Sequence, residues 1–260
     1  MMRIGLRLVA LLLPATAGGA AAQAPDALPF SVGERLSYSV RVARLGTVGR
    51  GTMWVEGPVD VRGTAAYLLR FDSKVRAGMV RGEDRTSSWI DPRRLASLRY
   101  YKHERNPVFS RHEAVELYPE RRRWEAADGR AGESPTDVPL DELSFMYFIR
   151  TLAYTPDTVY RFDRHYDPAR NPTTVRVVKR ETVAAGAGQF QTVLLEMRVK
   201  DPRRYKGEGV IRINVTEDGC RLPVRIESSV PVVGKGVLTL ESHTHPPEHC
   251  TAGGASPARR

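Results

Sequence analysis

At residues 36–42 the sequence reads Leu-Ser-Tyr-Ser-Val-Arg-Val, and this strict alternation decides the fold class. Leu36, Tyr38, Val40 and Val42 point one way, and Ser37, Ser39 and Arg41 the other, which is the period of a half-buried antiparallel strand. The same period recurs at Met53 and Val55, at Tyr67, Leu69 and Phe71, at Val115 and Leu117, at Tyr160 and Phe162, at Val175 and Val177, and at Ile211, Ile213 and Val215. Turn residues fall between these runs: Gly46, Gly57-Pro58, Gly63, Asp91-Pro92, Asn106-Pro107, Asp128-Gly129, Asn171-Pro172 and Asp218-Gly219. Strands at this spacing without a strand–helix–strand rhythm predict a mainly β fold, a curved antiparallel sheet forming a sandwich or a partial barrel.

One segment departs from period two. Apolar residues at 140, 143, 145, 146, 148, 149 and 152 have helical spacing, with Asp137 before Pro139 as cap and first turn. A helix that is apolar around most of its circumference is expected to be buried, here against the concave side of the sheet. It serves either as a plug for the core or as the wall of a ligand cavity. The strands on both sides then form one domain with two lobes over residues 23–242, followed by a flexible tail over 243–260.

The chain has 260 residues, 41% hydrophobic and 27% charged, which excludes disordered, collagenous and coiled-coil classes. Arg3 and Arg7 precede an apolar Leu8-Val9-Ala10-Leu11-Leu12-Leu13 core and the small run Ala20-Ala21-Ala22, the order of a secretory signal cleaved near Ala22. Pro14, Thr16 and Gly18-Gly19 keep that stretch below the ~20 apolar residues that span a bilayer. The expected product is periplasmic or secreted, with no transmembrane anchor. The net charge is +10, carried by 34 arginines against six lysines. Without a concentrated basic helix, an exported protein of this kind is not expected to bind nucleic acid, and anionic headgroups or acidic glycans suit its charge better.

Cys220 and Cys250 are the two cysteines, and an oxidising compartment favours bridging them. The loop of 29 intervening residues would contribute about 3–4 kcal/mol on a chain-entropy estimate. The rival is a metal site built from His243, His245, Glu248, His249 and Cys250, but Pro246-Pro247 reads as the start of a solvated tail, so no metal is expected.

Four motifs taken together carry a family resemblance: Phe30-x-x-Gly33-Glu34-x-Leu36-x-Tyr38-x-Val40, Asp141-x-Leu143-Ser144-x-x-Tyr147-Phe148-x-Arg150, Gly188-x-Phe190-x-Thr192, and Asp218-x-x-Arg221-Leu222-Pro223-Val224. In order and spacing the chain resembles the domain of unknown function 3108 family across about residues 30–242. The resemblance implies an exported, β-rich envelope protein and supplies no chemistry. The chain departs from the family pattern at Asn214-Val215-Thr216, where a tryptophan-containing strand end is expected, and at Cys220 in the last hairpin.

No nucleophile elbow, phosphate-binding glycine-lysine loop or zinc-protease helix is present. His112-Glu113 sits in an alternating strand, where neighbours face opposite sides and cannot share a metal. Arg161, Asp163 and His165 alternate onto one face, where an acid–base pair is conceivable and a solvated ion pair is the simpler reading. Gly186-Ala187-Gly188 is a hairpin turn, since no helix follows to hold a phosphate. Ser144 lacks a base and an oxyanion hole, so helix-internal hydrogen bonding is its expected role. Arg150 suits the helix dipole, a buried carboxylate such as Asp141 or Glu142, or an anionic headgroup.

The expectation is a non-catalytic exported protein without cofactor that holds a lipid or other amphiphile, with Tyr147, Phe148 and Arg150 as ligand-binding residues. The alternatives are an envelope assembly factor binding a protein partner through a sheet edge, and a glycan or lipid hydrolase using Asp163 and His165.

Overall fold

The computed structural model describes residues 28–43, 45–105, 110–202, 207–230 and 234–246. Residues 1–27, read as carrying a secretory signal, and residues 247–260, with Cys250, lie outside the described residues. The first arm of the sheet is a meander of β1 (Arg35–Val42), β2 (Gly46–Val61), β3 (Thr64–Ala77), β4 (Val80–Asp91), β5 (Ala96–Arg105), β6 (Ser110–Tyr118), β7 (Arg123–Ala126) and β8 (Ala131–Glu133). After α1 (Glu142–Phe148), a second meander runs through β9 (Val159–Phe162), β10 (Thr173–Ala185), β11 (Gly188–Lys200), β12 (Glu208–Thr216), β13 (Pro223–Val230) and β14 (Gly234–Thr244). The last strand pairs with the first, so all 14 strands form one antiparallel sheet with β8 and β9 at its edges. The fold is thus mainly β, as the alternation requires, and the sheet curls around its helix as a partial barrel without closing.

The β1 residues read in phase as Leu36, Tyr38 and Val40 are all buried. They sit between Met53, Gly51 and Gly49 of β2 on one side and His243, Leu240 and Leu238 of β14 on the other. Gly49 is required by close approach, because a Cβ there would lie 2.0 Å from the Lys74 carbonyl oxygen. The core is continuous across both arms: Leu36, Leu69 and Ile90 meet Tyr147 and Ile149 of the helical segment and Val193, Leu195 and Ile213 of the second arm. Two smaller clusters accompany it, Val61, Ala66 and Leu98 within the first arm, and Tyr100, Val115, Leu117 and Trp124 against Tyr166. The strand β14 runs through His243 to Thr244, so the tail begins later than the sequence pattern places it.

The helix is shorter than its apolar spacing predicts, and the cap is Asp141 rather than Asp137. Leu140 forms a parallel bridge with His165, donating its N–H to the Arg164 carbonyl and accepting from Tyr166 N–H, which keeps it extended. Asp141 Oδ1 then accepts from the N–H groups of Leu143 and Ser144, both at 2.9 Å, while Ser144 Oγ accepts from Asp141 N–H at 2.9 Å. This reciprocal capping box starts α1. A 3-10 turn at residues 149–151 ends it, and Leu152 is already extended. Asp137 is a surface partner of Arg94.

Candidate functional site

Arg150 is 1% exposed, and three of the four sequence motifs meet on it. Gly33, at φ +96°, makes the turn that leads Glu34 inward ahead of β1. The two Glu34 carboxylate oxygens each accept from Arg150 at 2.7 Å, one from Nη1 and one from Nη2, in a bidentate fork. Nη2 also donates to the carbonyl oxygens of Pro29 at 2.7 Å and Cys220 at 2.9 Å. The rings of Phe30 and Tyr147 stand 5.4 and 5.3 Å from the guanidinium carbon. Burial, the largest single influence, would lower the Arg150 pKa, but the Glu34 charge and its hydrogen bonds, with smaller contributions from Tyr147 and Tyr38, together outweigh it and the net shift is upward. On the other side Arg221 donates to the carbonyl oxygens of Arg150, at 3.1 Å, and Leu152. Tyr38 donates its hydroxyl to Pro223 O at 2.9 Å. The segment before β1, the end of α1 and the β12–β13 hairpin are therefore tied at one buried ion pair.

Of the residues read as ligand-binding, Tyr147 is fully buried and Phe148 is 7% exposed, packed against Phe145 and Phe162 with the Arg164 guanidinium over its ring. Arg150 has both terminal nitrogens engaged by the protein. The carboxylate that pairs with it is Glu34, not Asp141 or Glu142. None of the three lines the groove described next.

Glu142, Leu143 and Met146 of α1 border a groove of about 190 Å³ between the two arms. Met53, Phe71, Leu143, Met146, Ile211, Ile226 and Leu238 form its apolar wall, and Asp84, Thr86, Lys102 and Glu142 its polar end. Glu142, Met146 and Ile211 also line a second pocket of about 110 Å³, together with Asp141, His165, Arg170 and Asp201.

Glu142 is the hub between the two. Its Oε2 accepts from Lys102 Nζ at 2.9 Å, and its Oε1 from Arg111 at 3.0 Å and Arg170 at 2.6 Å. Burial would raise its pKa, but these three cations hold it well below the usual carboxylate range. Lys102 is opposed by burial and supported by Glu142, Asp84 and Glu104, with a net upward shift that keeps it charged. Arg170 and Arg111 also reach Asp201, and Arg111 pairs with Glu113. Tyr166 closes the network, donating to Glu113 at 2.9 Å. His165 is pushed well below its ordinary pKa by burial and by Arg170, so it is neutral. Asp163 is exposed while His165 is buried, so no acid–base pair is assembled there. His112 is exposed and Glu113 buried, on opposite faces of β6 as the alternation requires. The Gly186-Ala187 turn joins β10 to β11, with Ala185 paired to Gly188. His243 and His245 stack at 5.3 Å, and no cluster of metal-ligating side chains occurs among the described residues.

The Glu142 network escaped the sequence reading, although its signal is present. Lys102 and Glu104 stand in phase with buried Leu98 and Tyr100 on β5, and Glu113 with Val115 and Leu117 on β6. Charges at inward positions of an alternating strand need partners inside.

A crystallised β-barrel-like protein of domain of unknown function DUF1849 from Brucella abortus is similar in structure, with TM-score 0.58 and 12% identity over 84% of this chain and 99% of that one. At that identity the likeness shows the fold alone. A protein described as exported, with a YmcC-like fold, from Bacteroides fragilis covers 84% of this chain and 98% of its own at TM-score 0.31 and 11% identity. A protein described as a lipoprotein from Parabacteroides distasonis has the same coverage and TM-score at 10% identity. Likeness at that TM-score is too weak to bear on function. Among curated proteins, none matches the sequence. The family described as Protein of unknown function (DUF3108) matches residues 37–241, a span that includes Arg150 and Arg221 and begins after Glu34, and the chain belongs to it.

Proposed function

We propose that this chain is a non-catalytic exported protein that holds the apolar part of an amphiphilic envelope ligand in the groove beside α1. The groove itself carries this reading, with an apolar wall drawn from both arms and a charged end at Lys102 and Glu142. A volume of about 190 Å³ is below the ~300–1,000 Å³ of pockets that enclose a drug-sized molecule. The groove therefore suits one chain of an amphiphile rather than a whole lipid. Location rests on the signal-like N-terminal sequence, and the same compartment would bridge Cys220 to Cys250. Against a protein partner added at a sheet edge stands the length of the edges. With three residues in β8 and four in β9, they offer few unpaired backbone groups.

The test is saturable binding of the neutral fluorophore N-phenyl-1-naphthylamine. One site per chain is expected in the wild type, and its loss in Met146→Trp, where the indole fills the groove, with far-UV circular dichroism unchanged. Equal binding by a folded Met146→Trp protein would refute the assignment.

A further inference from the structure

Three large hydrophobic side chains are exposed among the described residues, and two of them, Leu45 at 54% and Met79 at 99%, stand at hairpin tips on the same end of the sheet. From the paired Gly49 and Val75, β2 and β3 each run four residues further, to Leu45 in the β1–β2 turn and Met79 in the β3–β4 turn. The tips are therefore level, and two strand spacings put them about 10 Å apart. The β3–β4 turn does not ask for an apolar residue. Ala77 pairs with Val80, so Gly78 and Met79 make a two-residue tip in which Gly78, at φ +61°, supplies the left-handed conformation and a polar residue would serve beside it.

Basic side chains surround both tips. Ser39 stands opposite Arg50, Arg50 opposite Lys74, and Arg76 opposite Arg81, so these residues share the outer face with Arg41, two positions beyond Ser39. Arg41, Arg50, Lys74, Arg76 and Arg81 are all exposed, and none has an ion-pair partner among the described residues. The acidic residues on that face of β3 and β4 near this end are Glu83, opposite Lys74 and 3.8 Å from Arg85, and Asp72, opposite Thr52 and Arg85. Exposed Arg105 stands opposite Glu83 from β5. Asp84 and Glu104 belong to the inward Lys102 cluster, and beside β1 Glu227 is bonded by both Arg225 and Lys235.

Two narrow tips do not offer the broad face of ~1,000 Å² or more that a stable protein partner needs. They match an anionic bilayer, where apolar side chains enter the boundary between headgroups and acyl chains while the cations behind them stay among the phosphates. We propose that this end of the sheet docks on an anionic phospholipid surface, with Leu45 and Met79 entering the headgroup boundary and Arg41, Arg50, Lys74, Arg76 and Arg81 resting on lipid phosphates. Such docking is independent of what the groove holds.

Co-sedimentation of the full mature protein with vesicles tests this, using equal parts phosphatidylglycerol and phosphatidylcholine against phosphatidylcholine alone. The wild type is expected to sediment with the mixed vesicles and not with the neutral ones, and to be released as salt rises. At roughly fivefold per basic side chain, Arg76→Gln with Arg81→Gln is expected to lower partitioning about 25-fold. Leu45→Ser with Met79→Ser is expected to lower it roughly tenfold. The control is Arg93→Gln with Arg121→Gln, two exposed arginines at the turns of the opposite end, and it is expected to bind like the wild type. All six positions are on the surface, and far-UV circular dichroism verifies that each variant is folded. Equal sedimentation with the two kinds of vesicle, undiminished binding by either tip variant, or a loss in the control as large as in the Arg76 and Arg81 variant overturns the assignment.

Discussion

Replacing Glu34 by Gln keeps the side chain's shape and removes the charge that holds Arg150. The guanidinium would then be 1% exposed, with the Pro29 and Cys220 carbonyl oxygens as its remaining anchors and an amide N–H facing one of its own donors. No water can replace the lost carboxylate, and breaking a buried pair on one side costs about 3–5 kcal/mol. For a chain of this size that lowers the melting temperature by about 6–20 °C. Urea unfolding followed by far-UV circular dichroism at pH 7 measures the loss. Arg150→Met is also destabilising, because it leaves the Glu34 charge buried. The double variant should lose less than the sum of the two singles by at least about 2 kcal/mol, since both act on one interaction. A Glu34→Gln loss under about 1 kcal/mol, or additive single variants, would refute the view that this pair ties the three segments together.

Acidification reaches the second network. A histidine whose folded pKa is depressed binds its proton in the unfolded chain first, so the stability it contributes is complete above about pH 6.5 and falls below it. Between pH 7 and pH 5 His165 alone should cost about 2 kcal/mol, read by urea midpoints, and His165→Gln should flatten that slope. Below about pH 4.3 the loss steepens as the unfolded chain takes up the proton that Glu142 resists, because a depressed carboxylate stabilises only above its unfolded value. Ser144→Ala removes half of the capping box and should cost about 1 kcal/mol in the same assay, with Asp141→Ala costing more because Ser88 also loses its acceptor at 2.5 Å. A Cys220–Cys250 bridge should appear as an intact mass lower by two hydrogens before reduction, and Cys220→Ser should abolish the difference.

Period-two alternation was enough to read the sheet, because inward residues such as Leu36, Tyr38 and Val40 need an apolar face whatever the partner strand. The closing pair of β1 with β14 was not legible, since it joins residues about 200 positions apart and no local pattern encodes such a contact. The helix existed where its spacing placed it, but its start moved because Leu140 is committed to a long-range bridge with His165. Tyr147, Phe148 and Arg150 stood out because they are large or charged on an apolar helix. Only the packing shows that these three are taken up by the core and the Glu34 pair while Glu142, Leu143 and Met146 border the groove. The motifs that carried the family resemblance converge largely on the Glu34–Arg150 pair, so they record how the fold is tied more than what it holds.

Native mass spectrometry of the mature protein, purified from the periplasm without detergent and compared before and after organic extraction, tests the central claim most directly. The account predicts a reproducible extra mass that extraction removes and that Met146→Trp lacks. A bare polypeptide mass in every preparation would contradict it and make the groove an unfilled gap between α1 and the sheet.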